Sequence, residues 1–370
     1  MADGLDLVLT GAGLTSPVGL TAPFTCAALR AGIARLGEIR TAYVAGDNVE
    51  AVPVVGGRVP VEWFGDGPTE REWPGHAAFG VEPPPPPELR VESGPARLVK
   101  IGLPAAREAL ESAGWSGGSE ARLGLALGLA EDEDTAPVVE ALRPVASFAF
   151  EIVARDGRAA FWVALREGAK RLLAGDVDAL LVGGLDSRVR REPLLAMAAA
   201  GELRSATVPH GVIPGEAAGF VLVERAAAAR DRGAKILARL PVLVAEQEPS
   251  AGTEEPNRAV GLAKAFRRVR RSTPGFTEYP LVVSDLNGER YRHQEWSHAS
   301  LRAMGDIEGD LTIWHPADSI GDAGAGLGPI DLVWAATALR EGYAGADRAL
   351  VWGASDHGAR LAALVLPPEE

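Results

Sequence analysis

The chain has 370 residues, 47% of them hydrophobic and 24% charged, enough to bury a large core and to hold two domains or two fused halves. Its formal net charge of −13 argues against a general nucleic-acid-binding surface, and no stretch reaches the roughly 18 uninterrupted apolar residues needed to cross a bilayer. A single cysteine, Cys26, excludes an intrachain disulfide framework and a multi-cysteine zinc site; with no basic stretch followed by an apolar run at the N-terminus, the expected compartment is the cytoplasm.

Leu5 to Leu9 has the pattern of a short strand and leads into a glycine-rich turn, Gly11 to Gly19 (GAGLTSPVG), expected to open a helix. This start invites a nucleotide-binding reading. It is a weak one, because the glycines miss the G-x-G-x-x-G spacing and no acidic ribose partner closes the next strand. Cys26 falls in the following helix and reads as a small buried hydrophobe. Residues 44–92 are rich in Gly, Pro and Trp, with a proline run from Pro83 to Pro87, and read as an irregular surface excursion.

Ala96 to Ala113 has helical apolar spacing and stops at Gly114, and Arg122 to Leu129 reads as a buried strand. Ser147 to Ala154 is strand-like, Ala159 to Leu173 is a long helix closed by Gly175, and Ala179 to Val182 is a further buried strand. Alternation of this kind predicts parallel sheets covered by helices. A basic run, Lys264, Arg267, Arg268, Arg270 and Arg271, reads either as a solvated helix face or as a dock for an acidic partner.

The segment DVDALLVGGLDSR around Val182 is echoed by GADRALVWGASDH around Val351, 169 positions later. Such an echo suggests two duplicated halves, 1–234 and 235–370, meeting near Gly233 to Lys235. Six histidines are present: His76, His210, His293, His298, His315 and His357. No two have a spacing characteristic of metal ligands, so neither a metal nor a cofactor is expected.

The stretch GVIPGEAAGFVLVE from Gly211 to Glu224 resembles the end of the first half of the β-ketoacyl-acyl-carrier-protein synthases, and LTGAGLTSPVG and GDAGAGLG (Gly321 to Gly328) are similar to the family's first strand and C-terminal helix start. The resemblance implies a thiolase-like five-layer αβαβα sandwich of two duplicated halves. It also implies a dimer, either a homodimer or a heterodimer with an active ketosynthase, formed through the strand before the nucleophile.

Carried over residue by residue, the resemblance places Arg158 where the family has its nucleophilic cysteine, Asn287 at the first histidine and Asp322 at the second. Ala317 falls at a lysine position, while Asp331 keeps the acidic partner of that lysine. Arginine stays protonated and offers no lone pair, and neither Asn nor Asp supplies an imidazole near neutral pH. The former pocket would comprise Arg158, Trp162, Asn287, Asp322, Asp331, Asp356, His357 and Gly358. Trp162 reads either as filling acyl-chain space or as ordinary core.

A buried guanidinium requires a partner, so Arg158 is expected to pair with Asp322, with Asp331 or Asp356 competing for it. The functional expectation is a β-ketoacyl synthase-like protein without condensing activity, a non-catalytic partner or scaffold in fatty-acid- or polyketide-type synthesis. An acyl carrier protein is an expected partner, with the basic run as its docking patch. The alternative is a repurposed acyltransferase or hydrolase of acyl thioesters using Asp322, Asp356 or His357.

Overall fold

The structure, a computed structural model, describes residues 5–44, 52–60, 94–116, 121–205, 208–273 and 275–369. In chain order its elements are β1 (Leu7–Thr15), α1 (Ala22–Arg30), β2 (Gly37–Val44), β3 (Val52–Gly56), α2 (Pro95–Ser112), β4 (Leu123–Leu129), α3 (Ala136–Leu142) and β5 (Phe148–Arg155). There follow α4 (Ala160–Leu173), β6 (Ala179–Ser187), α5 (Arg191–Ala199), β7 (Glu216–Arg225), α6 (Ala226–Asp231), β8 (Ala238–Gln247) and α7 (Val260–Arg271). The last are β9 (Leu281–Ser284), α8 (Arg290–Met304), β10 (Thr312–Trp314), α9 (Ala317–Ile320), α10 (Leu327–Arg340), β11 (Ala349–Ala354) and β12 (Ala359–Leu366).

Ten strands lie in the order β10, β9, β11, β12, β8, β1, β7, β6, β4, β5. Five of them, from β5 to β1, repeat in mirrored order as the five from β10 to β8. In the first set β4 runs parallel to β5 and β6, and β6 antiparallel to β7; in the second, β9 runs parallel to β10 and β11, and β11 antiparallel to β12. The sets touch through three register pairs, Leu7 to Leu9 of β1 against Ala238 to Leu240 of β8.

Strand side chains alternate between faces with a period of two, and here both faces are covered. Leu180 and Val182 of β6 and Ala349 and Val351 of β11 point into one shared core with α4 and α10. Ala179 and Leu181 of β6 face a second core under α2 and α3, and Leu350 and Trp352 of β11 a third under α7 and α8. The result is five layers: helices, sheet, central helices, sheet, helices. Helix α10 is buried on almost every face, as a helix apolar all round must be.

Several boundaries follow directly from local chemistry. The chain leaves α2 at Gly114 (φ 60°) and α4 at Gly175 (φ 81°), left-handed positions that glycine adopts without a Cβ penalty. The N–H groups of Gly175 and Asp176 close onto the Leu172 and Arg171 carbonyls at 3.1 and 3.0 Å.

Two expectations need correction. Gly11 and Gly13 do not turn the chain: β1 runs through both to Thr15, and α1 starts only at Ala22. A Cβ on Gly11 would lie 2.1 Å from the Ala109 carbonyl oxygen, and one on Gly13 would lie 2.0 Å from that of Ala105. The glycines therefore let α2 lie directly on β1. Within the expected irregular excursion at 44–92, Val52–Gly56 forms a strand that pairs with Gly37–Val44. The proline run Pro83 to Pro87 and His76 lie outside the described residues.

Among the described residues no helix is long and apolar enough to cross a membrane.

Candidate functional site

Arg158 sits in a single 3-10 turn, Gly157–Ala159, between the end of β5 and the start of α4, and is 5% exposed. Gly157, at φ 52°, supplies the left-handed residue that bends the chain out of the strand. Asp322 is 1% exposed and lies just before the turn that opens α10. Its backbone is fixed from both sides: its N–H donates to the Ile213 carbonyl at 2.7 Å, and its carbonyl accepts from the Gly215 N–H at 2.8 Å. That approach needs bare backbone, since a Cβ on Gly215 would fall 2.3 Å from the Ile320 oxygen and one on Gly321 2.5 Å from the Pro214 oxygen. The glycines of the GVIPGE and GDAG motifs thus hold Asp322 in place.

The Asp322 carboxylate is a hub. Its Oδ2 accepts from Arg158 Nε at 2.8 Å and Nη2 at 2.5 Å, from Arg188 Nη1 at 2.6 Å and from Asn287 Nδ2 at 2.6 Å, while Oδ1 accepts from the Gly324 N–H at 2.9 Å. Asn287, 8% exposed after β9, also donates to Glu289 Oε2 at 2.9 Å.

Beyond Arg158 the charges continue to alternate. Arg158 Nη1 lies 3.3 Å from both oxygens of Asp356, whose Oδ1 in turn accepts from Arg292 Nη2 at 2.7 Å. Arg292, buried on α8, also reaches Glu289 at 2.7 Å and the Ala354 carbonyl at 3.2 Å. Burial opposes ionisation of the Asp322, Glu289 and Asp356 carboxyls, but Arg158, joined by Arg188 at Asp322, Arg292 at Glu289 and both at Asp356, outweighs it and holds all three below the usual carboxylate range. Burial likewise opposes charge on Arg158, and Asp322, Glu289 and Asp356 more than restore it. The result is a nearly neutral lattice of fixed charges, buried at Arg158, Arg292 and Asp322 and open to solvent at Asp356.

Asp331 does not join it. It is fully buried on α10, among the described residues neither carboxyl oxygen has a hydrogen-bond partner, and burial, followed by the nearby Asp285 charge, pushes its pKa far up. The expected competition of Asp331 for the guanidinium is therefore absent, while Asp356 does take part.

The imidazole of His357 is likewise turned away from Arg158 and Asp322. It is 65% exposed and its Nε2 lies 2.6 Å from Glu131 Oε2, so the expected grouping of His357 with Asp322 is not formed. Gly358 adopts φ 100°, and its carbonyl accepts from the Glu248 N–H at 2.7 Å. Trp162 is fully buried edge-on to Phe161 (5.2 Å between centroids) and touches the Gly353 backbone so closely that a Cβ there would lie 2.5 Å from the indole. It packs as core, and among the described residues its indole nitrogen has no hydrogen-bond partner.

The basic run on α7 divides. Arg268 is bound to Glu246 at 2.8 Å and Arg270 to Asp306 at 2.7 Å, Arg267 donates to the Arg302 carbonyl at 2.9 Å, and Lys264, Arg267 and Arg271 are exposed. His315 pairs with Asp318 at 2.9 Å. Among the described residues no three His, Cys, Asp or Glu side chains are placed to hold a metal ion. Cys26 is buried 2% exposed in α1, and burial raises its thiol to about 11, as the small-hydrophobe reading expects.

No family model matches the sequence. The actinorhodin polyketide β-ketoacyl synthase 2 of Streptomyces coelicolor is 27% identical over 189 residues, a match spanning 47% of this chain and 45% of that protein, so the chain aligns with less than half of that relative's length. Three solved structures superpose on 98% of the chain and are covered to 99%, each with a TM-score of 0.75. One is a type II polyketide acyl-carrier protein in complex with its ketosynthase (14% identity), one the ishigamide ketosynthase/chain length factor (17%), and one a β-ketoacyl synthase from Burkholderia phymatum (14%). With five layers, mirrored five-strand sets and this sequence relationship, the chain is a homologue of the β-ketoacyl synthases with their thiolase-like fold.

Proposed function

We propose that this protein is a ketosynthase-like partner or scaffold in polyketide- or fatty-acid-type chain assembly that does not itself form carbon–carbon bonds. One observation carries the reading: the start of α4, where the family resemblance puts the nucleophile, holds the Arg158 guanidinium, closed by Asp322 at 2.5 Å. A condensing enzyme needs a thiolate there and neutral imidazoles beside it. A permanently protonated guanidinium, a carboxylate and an amide perform none of these steps.

The reading includes an association in the cytoplasm with an active ketosynthase or a second copy of the chain. Its support is β5, the terminal strand in the sheet order, which carries the half-buried Phe148, Phe150 and Ile152 at an edge able to add another strand. Lys264, Arg267 and Arg271 remain the exposed cations for an acyl carrier protein, and the division of the two halves is placed at 234/235, between α6 and β8. The acyltransferase or hydrolase alternative has no comparable support, since His357 is held by Glu131 and Asp322 by five hydrogen bonds.

The test combines the purified chain with malonyl- and acyl-loaded carrier protein, alone and with a co-expressed active ketosynthase. Neither decarboxylation nor elongation by the chain alone, and co-purification of the two synthase-like chains as a dimer, is the expected result. Turnover by the chain alone that disappears in Asp322→Ala overturns the proposal, as does a monomer by light scattering in both preparations.

A further inference from the structure

A second concavity, sharing no lining residue with the Arg158 cluster, opens between α1, the C-terminal end of α2, the segment entering β8 and the C-terminal half of α10, with a volume of about 710 Å³. That size lies within the range of small-molecule sites, which combine an apolar interior with a few polar groups. Its interior is walled by Leu9, Ala12, Cys26, Leu237, Val333 and Ala336, five of them buried. Its polar lining is rich in cations: Arg30, Lys235 and Arg340, the first two exposed.

These cations are incompletely neutralised. Arg340 is bound to Glu341 at 3.0 Å, whereas the Arg30 guanidinium lies over the Tyr343 ring at 4.3 Å, which orients it without cancelling its charge. Glu108, the other lining carboxyl, is turned into the protein: it accepts from the Leu14 N–H at 3.0 Å and from the Ala22 N–H at 2.9 and 3.1 Å. The Cys26 thiol, buried in the wall, serves as an apolar surface and not as a nucleophile. The cleft is thus built to hold a ligand without reacting with it. On a chain of net charge −13, Arg30 and Lys235, with Arg340 shared with Glu341, beside an apolar cavity favour an anionic head on an apolar body.

We propose that this cleft is a binding site for a small amphiphilic carboxylate, a medium-length acyl chain lying against Leu9, Val333 and Ala336 with its head group among Arg30, Lys235 and Arg340. The site is independent of the condensation chemistry proposed or denied at Arg158. Calorimetric titration of the full chain with decanoate tests it, with decanol as the uncharged counterpart.

The expected result is saturable one-site binding of decanoate. Lys235→Ala and Arg340→Ala should each weaken it by about tenfold or more, the loss of one charge-assisted hydrogen bond, and leave decanol binding unchanged. Both substitutions lie at the solvent-accessible rim, and unchanged melting midpoints establish that the variants are folded. Absence of saturation up to about 1 mM decanoate, or equal affinities for the wild-type chain and both folded variants, overturns the proposal.

Discussion

Arg158 and Asp322, 164 positions apart in the chain, share two hydrogen bonds at 2.8 and 2.5 Å to a single carboxylate oxygen, and through them the entry to α4 is tied to the entry to α10. Removing one partner leaves the other charge buried, at a cost of about 3–5 kcal/mol. Asp322→Ala is expected to lower the unfolding free energy by that amount in urea titrations, with a much smaller loss in Arg158→Met/Asp322→Leu. The folded carboxyl is depressed, so its stabilisation is present above the unfolded value near pH 4 and is lost progressively as the pH falls below it.

Asp331 has the opposite sign. Its folded pKa is raised by burial and then by Asp285, so above about pH 4 the unfolded chain releases a proton that the folded chain keeps, and stability falls with rising pH. Asp331→Asn, a near-isostere of the protonated side chain, should stabilise the protein at pH 7 and leave it nearly unchanged at pH 4. Chemical denaturation at the two pH values reads the difference.

The close approach of α2 to β1 makes Gly13 intolerant of a single methyl group. A Cβ 2.0 Å from the Ala105 oxygen forces backbone to move, and Gly13→Ala is expected to cost about 1–3 kcal/mol, measured as a shift in the denaturation midpoint without change of slope. Gly32→Ala, where nothing among the described residues lies within 4 Å but φ is 67°, separates the penalty of left-handed backbone from that of a steric collision.

His357 should titrate above an ordinary histidine, raised by its hydrogen bond to Glu131 and by that residue's charge. A raised imidazole stabilises below the unfolded value near 6.5, and the contribution disappears as the pH climbs through the folded value. At 65% exposure the pair is worth less than about 0.5 kcal/mol. A chemical-shift titration of the imidazole should show Glu131→Gln returning it toward 6.5.

The strands and long helices were readable wherever an apolar run met a glycine stop, as at α2 with Gly114 and α4 with Gly175. The pairing of Arg158 with Asp322 followed from the resemblance together with the cost of an isolated buried charge. Arg188 and Arg292 were missed for a physical reason. In SRVRRE and RYRHQEW nothing local distinguishes an arginine turned into the protein from one in water, because both are surrounded by polar neighbours. The glycines of β1 did carry a signal, since an isolated glycine in a strand pattern marks a close backbone approach as readily as a turn. Asp331 shows the limit of carrying an acidic partner over by position: the resemblance gives it a lysine partner where this chain has Ala317, and among the described residues its carboxyl has no hydrogen-bond partner.

The seat of β1 in the middle of the sheet governs how the protein can be born. Leu7 to Thr15 is made before its ladder partners, Ala218 to Arg225 and Ala238 to Leu240, so its backbone waits for more than two hundred later residues before it can close. Assembly of so non-local a centre is slow, and until β7 and β8 emerge from the ribosome a strand that the fold buries along its whole length is open to holdase chaperones and to wrong pairing.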